Sequence, residues 1–363
     1  MKMAAVLPAL KGGDAPLDTR LIHTGQHYDS AMKDAFFRQL DIPEPDQDLG
    51  VGSGSHAVQT AEIMRRFEPV VDQEKPAAVL VVGDVNSTIA CALVAVKKGV
   101  PIIHVEAGLR SGDRSMPEEI NRILTDQLSD FLFTTERAAL DNLLKEGIGA
   151  EKVHFVGNVM IDTLHRLLPL SPEPQEILAT LAPSSPLIGQ GGGYGLLTLH
   201  RPSNVDFPDV LHSLLQELSD ISRQIPLLFP VHPRTRGQID KAGLAPMLAA
   251  SNILCLPPIG YLEMLGLMKR ATLVLTDSGG IQEETTALGI PCITLRENTE
   301  RPITLTHGTN TLVGIDRVKM RNCVAEVLAS GGKSGRIPEG WDGQAAPRIA
   351  RILQERLGHA CQR

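Results

Sequence analysis

Thr276-Asp277-Ser278-Gly279-Gly280-Ile281-Gln282-Glu283-Glu284 is the stretch of this sequence that decides the fold. It follows the apolar residues 272–275 and begins a segment that can be helical, so it predicts a strand, a glycine turn and a helix. Free backbone N–H groups at a helix start, with the positive end of the helix dipole behind them, bind phosphate. Glycine lets an anion approach that backbone closely. The stretch therefore predicts a phosphate site at the end of a strand.

Glu284 lies about one helical turn beyond the two glycines, and its carboxylate can accept hydrogen bonds from two sugar hydroxyls. A phosphate at one end and a diol at the other is the pattern by which a protein holds a nucleotide. The alternative is an ordinary helix after a strand, with Ser278 as its N-cap. The stretch alone leaves both interpretations open.

Short apolar runs alternate with helical patterns along almost the whole chain, which predicts an α/β fold with parallel sheets. The runs of the first half, read as strands, are residues 19–23, 77–82, 102–105, 131–134 and 153–156, with helices at 86–98, 117–129 and 136–146 between them. The runs of the second half are residues 196–199, 227–230, 253–256, 273–276, 292–295 and 311–313. We expect two doubly wound domains facing a cleft, with ligands at the carboxyl ends of the strands.

Proline- and glycine-rich stretches mark the predicted domain boundaries. Residues 170–194 carry several prolines and end in three glycines, and residues 331–343 precede a last helix, predicted at 348–357. The expected domains are residues 1–170 and 171–344, and the length of 363 residues is enough for two sizeable cores.

Composition excludes several classes of protein. Charged residues make up 21% and the net charge is −7, which argues against a general nucleic-acid binder. No apolar run approaches the roughly 18 residues that cross a membrane. The five cysteines form no CxxC pair, which predicts reduced thiols in a cytoplasmic protein. No HExxH motif, no G-x-G-x-x-G after the first strand and no P-loop occur, so we expect no metal and no NAD or ATP chemistry.

Acidic and basic residues collect where the predicted strands end. Asp84 and Glu106 end or directly follow two strands of the first half, Glu118 follows the loop after the second of them, and His200 follows a strand of the second half. Neighbouring carboxylates suit general acid and base chemistry because they raise one another's pKa. Structural alternatives stay open: Asp84 can cap the following helix, and Glu118 can, together with Glu119, stabilise a helix dipole. His104 is interpreted as a core or supporting residue.

The combination of motifs resembles one family. In order, the sequence carries Gly83-Asp84, His104-Val105-Glu106-Ala107-Gly108-Leu109-Arg110, Pro117-Glu118-Glu119-x-Asn121-Arg122, His200-Arg201, residues 277–284 and Thr299-Glu300-Arg301-Pro302. This set resembles the bacterial non-hydrolysing UDP-N-acetylglucosamine 2-epimerases, from Lys2 to the final helix. The resemblance implies two Rossmann-like domains of the glycosyltransferase-B type, a homodimer, and a C-terminal helix within 345–363 that packs on the first domain.

The resemblance also implies a mechanism and a set of site residues. These enzymes eliminate UDP across C1–C2 to give 2-acetamidoglucal and then add it back with the proton on the other face. Asp84, Glu106 and Glu118 are the implied acid and base groups, with His200 near the phosphates or the sugar. The residues implied to bind UDP or substrate are Lys2, Arg122, Ile259, Met264, Ser278, Gly279, Gly280, Glu284 and Arg301. No cofactor is implied.

Three departures from the family pattern stand out. The chain lacks the N-terminal strand and the Gly-Thr-Arg-Pro-Glu motif of the family, and only the Lys-Met end remains, at Lys2. This predicts either a start assigned too late or a truncated relative. Pro202-Ser203-Asn204 stands where many relatives have Arg-Glu-Asn. Gln26 and His27, with Arg201 and His232, match a second, regulatory site of part of the family, although the residues after His27 differ.

Three functions therefore stay open at this point. The first is reversible epimerisation of UDP-N-acetylglucosamine to UDP-N-acetylmannosamine. The second is a related epimerase that hydrolyses its product or acts on a modified sugar such as a diacetamido-uronate. The third is a UDP-sugar-binding relative without turnover, which the missing front motif favours.

Overall fold

The computed structural model describes residues 1–13, 16–25, 37–183 and 193–357. The chain divides into two compact units, one formed by residues 1–166 with 339–363 and the other by residues 167–338. Each unit contains a parallel sheet, helices and a hydrophobic core of its own. The predicted α/β class with two Rossmann-like domains is confirmed.

The first unit is built on parallel strands that form two separate sheets. Its strands are β1 (Ile22–His23), β2 (Gln47–Asp48), β3 (Val79–Val82), β4 (Ile102–Ala107), β5 (Phe131–Thr134) and β6 (Val153–Phe155). Strands β3, β4, β5 and β6 pair in that order, whereas β1 pairs with β2.

The prediction that all strands of the first half share one sheet is therefore wrong for β1. Among the described residues no strand hydrogen-bonds to both β1 and β3, so the ladder is interrupted there. The two sheets still share apolar packing, because Ile22 of β1 and Val79 of β3 belong to the same hydrophobic cluster.

Helices cover both faces of the four-stranded sheet. The α-helices of this unit that lie wholly within the described residues are Lys2–Lys11, His56–Glu74, Asn86–Lys97, Pro117–Leu128, Arg137–Lys145, Val159–Leu167, which ends at the unit boundary, and Ala345–Leu357. Because side chains alternate along a strand, Ile103 packs with Val6 and Ile349 on one face. Ile102 packs with Ile63 on the other. The first and last helices of the chain thus lie on the same face of the sheet.

The second unit has one six-stranded parallel sheet. Its strands are β7 (Gly195–Thr198), β8 (Leu227–Pro230), β9 (Ile253–Leu256), β10 (Leu273–Thr276), β11 (Cys292–Thr294) and β12 (Asn310–Leu312). Their order is β12-β11-β10-β7-β8-β9, so the direction of winding reverses between β7 and β10. In doubly wound sheets ligands bind at this switch point, beyond the carboxyl ends of the two strands.

The predicted strands of the second half agree with these bounds to within one residue. The α-helices of the unit are Pro174–Leu181, Pro202–Val205, Pro208–Ile221, Pro233–Lys241, Ala245–Ala249, Tyr261–Met268, Gly279–Leu288, Pro302–Thr306 and Arg317–Ser330. All four residues of β10 are buried, and Leu275 lies in the main apolar cluster of the unit. A rigid strand therefore leads directly into the Asp277-Ser278 turn.

The structure also bears on the expected reduced cysteines and on the expected absence of a membrane-spanning segment. Cys91, Cys255, Cys292 and Cys323 are free thiols, and Cys361 lies outside the described residues. Within the described ranges no helix combines the length and the apolar character that a membrane span requires.

Candidate active site

The helix after β10 begins with an open N-terminus. Ser278 is its N-cap residue by position, with an extended backbone (φ −83°, ψ 130°), but its side chain makes no capping hydrogen bond. The Ser278 backbone N–H instead donates to Thr276 Oγ1 at 3.0 Å. The alternative of an ordinary serine-capped helix is therefore not what the structure contains, and the first turn with Gly279 and Gly280 can receive an anion.

Gly279 brings an arginine against the start of this helix. A Cβ atom at Gly279 would lie 2.7 Å from Arg301 Nη1 and 2.8 Å from Glu300 Oε1, closer than real Cβ atoms come to non-bonded heavy atoms. Only glycine leaves room for this approach. A guanidinium and the positive end of a helix dipole therefore meet at one point, which suits a phosphate group.

Arg301 is held by two buried carboxylates. Its Nε lies 3.0 Å from Glu283 Oε2, and its Nη1 donates to Glu300 Oε1. Arg296 Nη2 donates to Glu300 Oε2 at 2.8 Å, and Arg201 Nη2 lies 4.0 Å from Glu300 Oε1. Burial alone would raise the pKa of Glu300, but Arg301 and Arg296 outweigh it and hold this pKa well below its usual range. Arg201, Arg296 and Arg301 therefore all approach Glu300 beside the start of this helix.

Glu284 lies buried on the same helix. Tyr261 Oη donates to Glu284 Oε1 at 2.8 Å. Burial raises the pKa of Glu284 to about 7; the Tyr261 hydrogen bond opposes this shift, and the charge of Glu283 adds to it. Glu284 therefore titrates near neutral pH, and its ionised form is the better acceptor for a diol.

Ile259 and Met264, two of the residues implied to bind UDP or substrate, lie before and within the first turn of helix Tyr261–Met268, and both are half-buried. Gly260 is the N-cap residue of this helix. Through the Tyr261–Glu284 hydrogen bond the same helix contacts the helix that carries the anion site. Ile259, Met264 and Glu284, three of the predicted nucleotide contacts, therefore lie in the same unit.

His200 lies at the switch point, beyond the carboxyl end of β7. Its Nδ1 is 2.9 Å from Asp277 Oδ1, and its side chain is partly exposed. The ring of His232 lies beside it, with centroids 5.9 Å apart. Burial lowers the pKa of His232, and His200 and Arg234 lower it further. Both histidines thus lie in the unit that carries the predicted phosphate site.

In the first unit Asp84 is held by a buried arginine. Arg122 Nε donates to Asp84 Oδ2 at 2.9 Å, and Arg122 Nη1 donates to Glu119 Oε2. Asn121 Nδ2 donates to the Asp84 backbone carbonyl at 2.9 Å. The next helix has Val85 as its N-cap residue and no capping side chain, so Asp84 is not a helix cap. Its carboxylate is instead positioned by Arg122 at the end of β3.

Glu106 has an unusual backbone. Its φ is +72°, which few residues other than glycine adopt, and the register of β4 against β5 shifts between Val105 and Ala107. This bulge directs the side chain to Lys2, whose Nζ lies 2.5 Å from Glu106 Oε2. A Cβ atom at Gly83 would lie 2.6 Å from the same Nζ. A non-glycine residue held in this region is a sign of functional strain.

His104 has a supporting role, as expected. It is fully buried, its Nδ1 lies 2.7 Å from Asp126 Oδ1, and its Nε2 lies 2.8 Å from the Gly83 carbonyl oxygen. Asp126 also accepts from the Gly108 N–H at 3.1 Å. Through these hydrogen bonds His104 and Asp126 stabilise the turns that follow β3 and β4.

Glu118 and Glu119 are adjacent in sequence but have different surroundings in the structure. Glu119 is buried and accepts hydrogen bonds from the Ser111 and Gly112 N–H groups as well as from Arg122. Glu118 is half-buried, and its side chain makes no hydrogen bond or ion pair within the part of the chain that the structure describes. Because Glu118 and Arg122 are four residues apart, they share a helix face. Glu119 is a structural anchor, and Glu118 is the accessible acid.

The predicted residues thus form two groups. In the first unit Lys2 pairs with Glu106 and Arg122 pairs with Asp84, and Glu118 lies one turn from Arg122. The second unit holds His200, Arg201, His232, Ile259, Met264, Ser278, Gly279, Gly280, Glu284 and Arg301. Gln26 and His27 lie outside the described residues. No cluster of histidine, cysteine, aspartate and glutamate able to hold a metal ion occurs within the described ranges.

Sequence reasoning assigned no site role to four residues of these groups: Glu119, Tyr261, Asp277 and Glu300. Asp277 carried a signal, since it directly follows a buried strand and precedes the Ser-Gly-Gly turn. Glu300 adjoins Arg301 in a motif already recognised. Tyr261 carried no signal of its role, because its partner Glu284 is 23 residues away.

Comparison with known proteins gives a consistent result. The profile of the family described as UDP-N-acetylglucosamine 2-epimerase matches residues 12–354. A UDP-N-acetylglucosamine 2-epimerase of Methanococcus maripaludis is 45% identical over 313 residues, which are 85% of this chain and 84% of that protein. A UDP-2,3-diacetamido-2,3-dideoxy-D-glucuronate 2-epimerase of Pseudomonas aeruginosa is 43% identical over 341 residues, with coverages of 92% and 90%.

A solved structure matches over nearly its whole length. The crystal structure of Methanocaldococcus jannaschii UDP-GlcNAc 2-epimerase in complex with UDP-GlcNAc and UDP is similar with a TM-score of 0.88 and 40% sequence identity. The match covers 98% of this chain and 96% of that chain.

Proposed function

This chain belongs to the UDP-N-acetylglucosamine 2-epimerase family, and we propose that it interconverts UDP-N-acetylglucosamine and UDP-N-acetylmannosamine by elimination and re-addition of UDP. The observation that carries the proposal is the arrangement in the second unit. Arg301 and an open helix N-terminus suit a diphosphate, and Glu284 on the same helix suits the ribose diol. That pairing suits a nucleotide better than an isolated phosphate.

The first unit supplies the acid and base groups in this proposal. A carboxylate takes the proton from C2, the C1–C2 double bond forms, and the C1–oxygen bond breaks so that UDP leaves with its electron pair. Re-addition of UDP to C1 and delivery of a proton to the other face of C2 complete the inversion. Asp84, Glu106 and Glu118 are the proposed acid and base residues. Arg122 holds the Asp84 carboxylate, and Lys2 holds that of Glu106, whose backbone is strained, whereas Glu118 is the accessible acid.

Lys2, Arg122 and His200 have supporting roles in the proposal. Lys2 and Arg122 neutralise Glu106 and Asp84 and fix their positions. His200 and Arg301 act on the side of the departing diphosphate, where a fixed positive charge stabilises the leaving group. No cofactor enters the proposed reaction.

Incubation of the protein with UDP-N-acetylglucosamine in deuterated water tests the proposed function. We expect deuterium at C2 of the sugar, the appearance of UDP-N-acetylmannosamine, and UDP that stays attached to the sugar at equilibrium. Free N-acetylmannosamine together with free UDP would instead identify a hydrolysing epimerase. Binding of the substrate without deuterium at C2 would contradict an epimerase of either kind.

A second candidate substrate follows from the similarity to the Pseudomonas aeruginosa enzyme, which acts on a UDP-diacetamido-uronate. The same exchange experiment with that uronate as substrate distinguishes the two candidates. Faster deuterium incorporation into the uronate at equal concentrations would reassign the sugar and leave the reaction type unchanged.

Binding of the nucleotide sugar should strengthen as the pH rises from 6 to 8. With a pKa of about 7, Glu284 is about 10% ionised at pH 6 and about 90% at pH 8. If only the ionised form accepts both ribose hydroxyls, affinity rises about tenfold over this range. Calorimetric titration with UDP-N-acetylglucosamine on an Asp84→Asn variant measures this, because turnover is then slow and the diester phosphates do not titrate.

Tyr261→Phe is the matched variant for this experiment. It removes the hydrogen bond that lowers the pKa of Glu284, so the rise in affinity should move to higher pH. An affinity that stays constant between pH 6 and pH 8 in the Asp84→Asn protein would exclude Glu284 as the group that binds the diol.

The remaining expectations belong to the same proposal. Arg201 and His232 lie beside Glu300 and His200, which supports a part in binding a second anionic ligand. The family resemblance supports a homodimer in the cytoplasm.

A further inference from the structure

We propose that Asp277 is a positioning residue that fixes the imidazole of His200, with Nδ1 toward the Asp277 carboxylate and Nε2 directed away from it as the working atom. The inference deepens the proposed function, because His200 belongs to the proposed active site. Asp277 itself is fully buried and acts through His200.

Asp277 is surrounded by hydrogen-bond donors. Its Oδ2 accepts from the backbone N–H of His200 at 3.0 Å, from the backbone N–H of Arg201 at 2.9 Å and from Asn204 Nδ2 at 3.2 Å. The His200 backbone N–H also lies 3.2 Å from Oδ1. Its Oδ1 lies 2.9 Å from His200 Nδ1. A carboxylate with this many donors stays ionised and accepts only. Since Asp277 cannot donate, His200 Nδ1 must carry the hydrogen.

The pKa of Asp277 agrees with this arrangement. Burial alone would raise the pKa of its carboxyl group, but the hydrogen bonds and charge of His200 and the Arg201 N–H outweigh burial and lower it. The carboxylate is therefore ionised at neutral pH.

The position of Asp277 and His200 in the fold places His200 where a ligand can reach it. Thr198 of β7 and Thr276 of β10 are paired neighbours at the switch point, so the loops that follow them lie side by side. Asp277 begins one loop and is followed by Ser278 of the anion site, and it holds the His200-Arg201 backbone of the other. His200 is thereby placed beside the phosphate site, and its partly exposed side chain offers Nε2 to a ligand.

Fixing the hydrogen on Nδ1 decides what Nε2 can do. In the neutral ring Nε2 is an acceptor that can take a hydrogen bond from a sugar hydroxyl or receive a proton. In the protonated ring it donates to a phosphate oxygen. Both forms require the orientation that Asp277 imposes, and the ring of His232 lies beside that of His200, with centroids 5.9 Å apart.

Asp277→Asn tests the inference because it keeps the size of the side chain. Three donors converge on the Oδ2 position, so the amide oxygen of the variant should remain there and its NH2 group should face His200 Nδ1. The amide then donates to Nδ1 and moves the ring hydrogen to Nε2. We expect kcat for C2 exchange to fall by about 100- to 10,000-fold, as for a buried aspartate that orients a histidine in serine proteases, with KM changed by less than about threefold.

Two further measurements separate positioning from a general structural role. In a His200→Ala background, Asp277→Asn should cause no further loss of exchange, because its partner is already absent. Nitrogen-15 NMR of histidine-labelled protein, assigned with His200→Ala, should show hydrogen on Nδ1 in the wild type and on Nε2 in Asp277→Asn. The wild-type spectrum alone tests the inference if the variant does not fold.

The outcomes distinguish this inference from the proposed function. Wild-type His200 with its hydrogen on Nε2, or an equal loss from Asp277→Asn with and without His200, would overturn the positioning role. A wild-type protein without exchange on any UDP-sugar would overturn the proposed function, while the NMR result would still decide the role of Asp277.

Discussion

Asp84→Asn should lower the rate of deuterium exchange at C2 by about 100- to 10,000-fold, the contribution typical of a general acid or base. Asparagine cannot take up or release a proton at neutral pH, whereas its amide oxygen can still accept from Arg122 Nε, which lies 2.9 Å from the carboxylate in the wild type. The geometry should therefore survive while the chemistry is lost. The measurement is the initial rate of exchange into UDP-N-acetylglucosamine followed by proton NMR.

The affinity for UDP provides the internal control, because the proposed UDP contacts lie in the other unit. It should change by less than about threefold, within the usual additivity of independent sites. Asp342→Asn is the matched control, since Asp342 also accepts from an arginine, at 2.9 Å from Arg348 Nη1, but on the surface of the first unit. It should leave the exchange rate unchanged. Exchange by Asp84→Asn within tenfold of wild type would show that Asp84 is neither acid nor base.

The local structure around the anion site could be predicted because its signals are local. An apolar run of strand length followed by Ser278, Gly279 and Gly280 specifies a strand, a turn and a helix, and the structure places β10 and the helix as predicted. The same local signals located the strand ends that carry Asp84 and His200. Periodicity and turn chemistry were sufficient there because no long-range contact had to be known.

Features that depend on tertiary contacts could not be predicted. Glu118 and Glu119 are adjacent in sequence, and only the packing of their helix against the Ser111-Gly112 loop shows which one is buried. The positive φ of Glu106 has no sequence signal, because a bulge at a non-glycine residue is imposed by its surroundings. The separation of β1 from β3 likewise depends on which strands pair.

Gly279→Ala should weaken UDP binding by about 10- to 100-fold, although it adds a single methyl group. The new Cβ would lie 2.7 Å from Arg301 Nη1, so the guanidinium must move away from the helix start. A charge-assisted hydrogen bond contributes about 1.5–3 kcal/mol, which corresponds to this loss of affinity if Arg301 no longer reaches the phosphate. Isothermal titration calorimetry with UDP measures the change.

Gly237→Ala is the matched control for that experiment. Gly237 lies inside helix Pro233–Lys241 of the same unit, and a Cβ atom added there would meet no heavy atom within 4 Å among the described residues. Alanine there should bind UDP as the wild type does and should stabilise the helix by about 0.5–1 kcal/mol. Arg301→Lys adds a second comparison, because it keeps the positive charge but loses the planar fork, and it should also weaken binding. If Gly279→Ala folds with a normal melting temperature and binds UDP like wild type, Arg301 does not act at the helix start and the phosphate must bind elsewhere.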